Sequence, residues 1–255
     1  NTYAMLEIGH YYENSQRQVL LLWPIFMLSL SVNLYRQYIA LAFIVLLYLA
    51  FQKRSWIKAG ICAIIAVGFH TSALIGVFFL GVAYILSRYK INKWFFIAGI
   101  ISATLLSSYY IESILSFSTI ISIYYQQQTG QLYDTMRLAD SVYTANTLQY
   151  FNMIFGCILV WCVDKILGSE KKYRLLFYLF AIGQILSPIM REQIMIRILL
   201  YISTFTPVIL GITLKKCKFN KLSGLLFGLS LSYYFCYFLY IEHNMWKEFP
   251  LQFRL

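Results

Sequence analysis

The sequence predicts an all-α fold, a polytopic integral membrane helix bundle of about nine transmembrane helices, with its N-terminal end cytoplasmic and its C-terminus outside. Three observations predict it. Of 255 residues, 60% are hydrophobic and 12% charged, where soluble domains carry about a quarter charged. The apolar residues fall in runs of roughly span length, between short segments rich in Lys and Arg. Those basic segments recur at every second turn of the chain, as a cytoplasmic bias of Lys and Arg requires.

The same composition excludes several classes. The net charge of +11 is punctuated by apolar runs and forms no single stripe, so nucleic acid is not an expected partner. Cys62, Cys157, Cys162, Cys217 and Cys236 are scattered without a CxxC, which points away from structural metal and disulfides; Cys157 and Cys162 read as apolar packing. Walker A, GxGxxG, HExxH and GxSxG patterns are absent. The chain opens at Asn1 with no cleavable leader pattern, and the expectation is that a true N-terminus, with further spans, precedes it.

Residues 1–18 are mixed and read as a connector or the tail of an earlier helix. Leu20 to Leu34 and Tyr38 to Phe51 then form a hairpin of spans with Arg36 in its outer turn. A basic segment follows at Lys53, Arg54 and Lys58, after which Ala59 to Leu86 is uncharged except for His70. One span there would place the Lys53 to Lys58 and Arg88 to Lys93 loops on opposite faces. Two short helices turning at His70 keep both inside.

Trp94 to Ser108 is the next span, followed by an outer loop at about 111–147, and Leu148 to Val163 returns to Lys165, Lys171, Lys172 and Arg174. Leu175 to Met190 and Ile196 to Leu214 form a hairpin with Arg191-Glu192-Gln193 outside. Lys215, Lys216, Lys218 and Lys221 precede the last span, Leu222 to Ile241. The four inner loops hold 14 of the 21 Lys and Arg against two acids, Asp164 and Glu170. The chain is read as a single transmembrane domain over residues 1–255.

This topology gathers Arg36, His70, Arg137, Arg191 and Arg197 on the outer side. Arg197 lies six residues after Arg191, about 9 Å deeper along a helix. An arginine near hydrocarbon costs from about 2.5 to more than 10 kcal/mol, so it needs a polar cavity and a partner. Snorkelling to lipid phosphate or pairing with Glu192 accounts for any one of them. Several on the face with no topological need for cations point to a pocket for a phosphate or pyrophosphate head group, which a guanidinium meets bidentately.

His70 reads as a general base, a proton relay or a hydrogen-bonded structural histidine. Glu112, Asp134, Asp140 and Glu192 are alternative bases on the same side. Tyr124 and Tyr125, ahead of Gln126-Gln127-Gln128, suit either sugar rings or an interfacial anchor.

Asn33-x-x-Arg36-Gln37-x-x-Ala40 opening one span, a short basic loop, and Phe69-His70-Thr71-Ser72-Ala73-Leu74 at the end of the next resemble the EpsG-type family of bacterial membrane proteins, relatives of the Wzy-type polysaccharide polymerases. The resemblance is strongest over Asn33 to Leu86 and looser over Arg191 to Pro207 and the Trp246 to Pro250 tail. It implies a multi-pass polymerase of the bacterial cytoplasmic (inner) membrane. Such an enzyme transfers a growing glycan from an undecaprenyl pyrophosphate carrier to a lipid-linked repeat unit on the outer face, with no nucleotide sugar, cofactor or metal.

The partners it implies are the undecaprenyl-pyrophosphate-linked oligosaccharide, the lipid bilayer, and a chain-length regulator and flippase of the same pathway. By motif match it carries over Arg36, Gln37, His70 and Ser72, joined by Arg191 and Arg197; Arg137 rests on topology alone. The expected catalytic set is His70, Arg36 and Arg197, with Gln37, Ser72, Arg137, Arg191, Glu192, Tyr124 and Tyr125 against substrate. A transporter or flippase component for an anionic or lipid-linked glycan, and a non-catalytic scaffold, are the competing readings.

Overall fold

The computed structural model describes residues 2–12, 15–27, 35–109, 146–168, 170–189 and 199–248. Among these the chain is all helix and turn, with no strand. The helices are α1 (Thr2–Tyr11), α2 (Gln16–Met27), α3 (Tyr35–Gln52), α4 (Trp56–Phe69), α5 (Ala73–Leu86) and α6 (Lys93–Tyr109), then α7 (Asn146–Leu167), α8 (Lys171–Leu186), α9 (Thr206–Lys216) and α10 (Leu222–Glu248). A short helical stretch at 199–203 leads into α9. The outer loop expected at about 111–147 lies almost wholly outside the described residues.

Among the described residues, two helices are long and apolar enough to cross a bilayer, Gln149–Leu167 and Leu199–Lys216, and five shorter apolar helices accompany them. Their surfaces are inverted relative to a protein folded in water. On α4, Ile57, Ile61 and Ile64 stand outward at helical spacing while Ala59 and Ala66 are buried. On α5, Leu74, Phe78 and Ile85 are exposed while Ala73, Gly76, Leu80 and Ala83 face inward. Small residues at the contacts and large apolar ones outside suit helices whose surroundings are hydrocarbon, where close backbone approach replaces the hydrophobic drive. Together these features describe a helical protein of membrane type.

The N-terminal segment departs from expectation. Residues 2–11 are a helix packed into the core, not a connector, because Ala4, Met5, Ile8 and Tyr12 fall on one face and are all buried. The Tyr12 and Tyr48 hydroxyls share a hydrogen bond, Tyr12 also donates to the Lys172 carbonyl at 3.3 Å, and Gln52 Nε2 donates to Tyr48 at 3.1 Å. Burial first, and then the neighbouring Tyr48, push the Tyr12 phenol well above its usual range, so it stays a donor.

Helix ends also run past the apolar limits. α8 starts at Lys171 rather than Leu175, taking three cations into its first turn. The helix dipole disfavours them there, but aromatic faces and a carbonyl receive two of them. Lys172 lies 5.6 Å from the Tyr12 and Tyr173 ring centres, and Arg174 Nη1 donates to the Ser87 carbonyl at 3.3 Å.

Contacts of this kind gather the basic segments at one end of the bundle. Lys93 pairs with Asp164 at 2.7 Å, Lys216 reaches Glu170 at 3.6 Å and the Tyr173 ring at 4.5 Å, and Lys53 lies over Tyr11 at 6.0 Å. Tyr178 pins the 87–92 loop there, accepting from Ile91 N–H and donating to the Tyr89 carbonyl, each at 2.8 Å. Tyr178→Phe strands both backbone groups. It is expected to lower stability by about 1–3 kcal/mol, read as a lower thermal midpoint of the purified protein in detergent.

Candidate functional site at the helix break

α3 ends at the basic end, beside Lys53 and Arg54, so its first turn, with Arg36 and Gln37, lies at the other, about 27 Å away for an 18-residue helix. α4 runs back alongside it, and the stacked Phe43 and Phe69 rings, 6.1 Å apart, fix the register. Phe43 is six residues from Gln37, so the end of α4 stands about 9 Å short of Gln37 along the axis. Arg36, Gln37 and His70 therefore share one end of the bundle. Arg36 is exposed and Gln37 buried, as adjacent helical residues diverge by 100°.

The break between α4 and α5 is built from local bonds. His70 is extended (φ −154°, ψ 116°), its N–H still donating to the Ala66 carbonyl and its own carbonyl accepting from Ala73 N–H at 2.9 Å. Ser72 takes the N-cap of α5, where a serine hydroxyl ordinarily accepts from an orphan amide of the first turn. Here it makes no such bond. Its Oγ lies 2.6 Å from His70 Nδ1 and 3.1 Å from the Tyr201 hydroxyl, which is itself 3.4 Å from Nδ1.

Two side chains from distant parts of the sequence, Ser72 and Tyr201, thus close on one imidazole nitrogen. His70 and Ser72 are half-buried; Tyr201 is 1% exposed. Gly76 sets the approach: a Cβ on it would meet Tyr201 Cβ at 2.8 Å. It lies four residues after Ser72, on the same face of α5, so the bare backbone lets the tyrosine lie against the helix and reach Ser72. Ser72, expected against substrate, is engaged with the histidine.

Tyr201 was not among the expected site residues. Its one sequence signal was its position four residues after Arg197, inside the looser Arg191 to Pro207 resemblance, and a tyrosine in an apolar run reads first as an anchor. Arg137, Arg191, Glu192, Arg197, Tyr124 and Tyr125 lie outside the described residues. A small, partly open pocket lined by Lys90, Asp164, Arg174 and Phe177 among others sits at the basic end, away from His70.

Comparison with known proteins adds identity to this geometry. No curated protein and no solved structure matches the chain. The family model described as the EpsG family matches residues 3–253, essentially the whole chain, so the protein belongs to the EpsG family, a membership that points to a membrane protein of the polysaccharide-polymerase type.

Proposed function

We propose that this protein extends a polysaccharide at the outer face of the bacterial cytoplasmic membrane, moving a glycan from undecaprenyl pyrophosphate to a hydroxyl of a lipid-linked repeat unit. The observation that carries the reading is the family match over residues 3–253, joined to a polar cluster at the end of the bundle away from the basic segments. Nine spans with the basic segments cytoplasmic place that end outside. The contacts joining Lys93, Asp164, Arg174, Lys216 and Glu170 support this orientation.

In the reaction the acceptor oxygen forms a bond to the donor's anomeric carbon, the bond from that carbon to the pyrophosphate oxygen breaks, and the acceptor's proton leaves. Negative charge grows on the departing pyrophosphate. Arg36, with Arg137, Arg191 and Arg197, supplies cations for it, and cationic charge on a departing pyrophosphate lowers the barrier to its release. The acceptor's proton goes to a base, for which His70, Glu112, Asp134, Asp140 and Glu192 are the candidates.

The test is turnover in liposomes holding the protein and an undecaprenyl pyrophosphate oligosaccharide, with no nucleotide sugar. A ladder of repeat units on a gel is expected. No ladder, with substrate appearing instead in the opposite leaflet, would replace the polymerase with a transporter of the same lipid.

A further inference from the structure

We propose that Gln149 and Asn152 on α7, with Gln184 on α8, form a subsite for the sugar rings of the lipid-linked substrate, binding their hydroxyls through carboxamides that Ser107, Tyr233 and Tyr234 hold in place. That the ligand is a sugar rests on the function proposed above.

The subsite is built on one face of α7. Gln149, Asn152 and Gly156 stand at i, i+3 and i+7, on one stripe of that helix, and each meets a different neighbour. Gln149 is buried and donates from Nε2 to the Thr104 carbonyl at 3.3 Å and to Ser107 Oγ, both on α6. Asn152 Oδ1 accepts from the Tyr233 hydroxyl of α10 at 2.8 Å, and the Phe155 ring, stacked on Tyr233 at 4.0 Å, steadies it. A Cβ on Gly156 would meet Gln184 Oε1 at 3.0 Å, so the bare backbone admits the glutamine, whose Oε1 accepts from Tyr234 at 3.2 Å.

A carboxamide carries two N–H donors and an oxygen with two lone pairs. The bonds above use the nitrogen of Gln149 and the oxygens of Asn152 and Gln184. Gln149 therefore keeps an acceptor, while Asn152 and Gln184 keep donors, each aimed by the hydroxyl that grips its other end. An amide turned over would offer its oxygen instead, so the capacity stands in either orientation.

Amides that only tie helices together spend their hydrogen bonds between helices, because hydrocarbon receives none. Capacity left over at membrane depth calls for a polar occupant. Charge indicates its kind. The charged residues of α6, α7 and α8 all lie toward the basic end, at Lys93, Asp164, Lys165, Lys171, Lys172 and Arg174. The stripe thus offers hydrogen bonds without charge, which suits sugar hydroxyls and not a pyrophosphate.

Position supports the same ligand. Asn152 stands about 18 Å along α7 from Asp164, and His70 about 18 Å beyond Lys58, so the two share one depth away from the basic end. α8 joins them. A Cβ on Gly183 would meet Cγ2 of Ile202, the neighbour of Tyr201, at 3.4 Å, while the adjacent Gln184 reaches Gly156. A lipid-linked sugar can then rest its rings on α7 while its pyrophosphate meets the helix break.

The experiment measures binding of two lipids to the protein in nanodiscs: undecaprenyl pyrophosphate bearing its oligosaccharide, and the same lipid without sugar. Wild-type protein is expected to hold the first more tightly. Asn152→Leu and Gln184→Met keep the side-chain volume and remove the amide. Each is expected to weaken binding of the sugared lipid roughly five- to tenfold, as one lost hydrogen bond does, and to leave the bare lipid unchanged. Variants that weaken both lipids alike, or neither, would overturn the proposal. So would equal affinities of the two lipids for wild-type protein, a reading that needs no variant to fold. Binding is read without turnover, so a protein that prefers the sugared lipid and makes no ladder counts against the polymerase and leaves the subsite standing. A ladder from a protein indifferent to the sugar does the reverse.

Discussion

Arg36→Ala is expected to abolish long polymer while leaving the protein folded and in the membrane. Arg36 is exposed on the first turn of α3, and its buried neighbour Gln37 faces the bundle in its place. Surface substitutions of this kind shift stability by about 0.5 kcal/mol or less. The loss of a preorganised group on a leaving pyrophosphate is far larger, about 100- to 1,000-fold in rate by analogy with single oxyanion donors. Arg36→Lys should recover part of the activity, because it restores charge but not the two-pronged donor. Glycan length on a gel from the liposome assay measures both variants, and normal chain length from Arg36→Ala would remove this residue from the site.

Gly76→Ala is expected to damage activity more than its single added methyl suggests. In a helix interior alanine is favoured over glycine by about 1 kcal/mol. Here the new Cβ would stand 2.8 Å from Tyr201 Cβ and 2.9 Å from its Cγ, so the tyrosine's helix must shift. Overpacking of this sort costs about 1–3 kcal/mol, which exceeds the propensity gain. The shift also draws the phenol from Ser72. Gly81 lies on the same helix with open space where a Cβ would stand, so Gly81→Ala should be neutral or stabilising. Equal thermal midpoints and equal turnover for the two variants would show that the approach at Gly76 is not tight.

The parts of this fold written in local pattern were legible. Ala59 to Leu86 holds no Asp, Glu, Lys or Arg and one histidine, His70, and keeping the basic segments on both sides of it on one face requires the run to turn, which the polar residues at 70–72 allow. The helices at Trp56–Phe69 and Ala73–Leu86 bear out that break. The N-terminal helix was missed because its polar residues dilute a face whose burial depends on α2, α3 and α9. Tyr201 was missed for a similar reason. It meets His70 across 131 positions, and no period within either segment records that meeting. The capping bond that Ser72 forgoes was equally hidden, since serine at a helix start ordinarily serves its own backbone.

The shortness of α4 has a consequence for the medium in which the chemistry takes place. Fourteen helical residues reach about 21 Å, against roughly 30 Å of hydrocarbon. On the proposed topology Lys53, Arg54 and Lys58 tether one end of that helix to the cytoplasmic head groups, so His70 stops about 9 Å below the far boundary of the acyl layer. Either the bilayer dimples there or water and lipid head groups follow the protein down. A carrier lipid whose pyrophosphate ordinarily rides at the surface would sink into this depression before it reacts. On the proposed function, the helix break at His70 would meet the pyrophosphate there, below the level of the surrounding head groups. The length of a helix, as much as the identity of any side chain, would then set the depth at which the proposed transfer takes place.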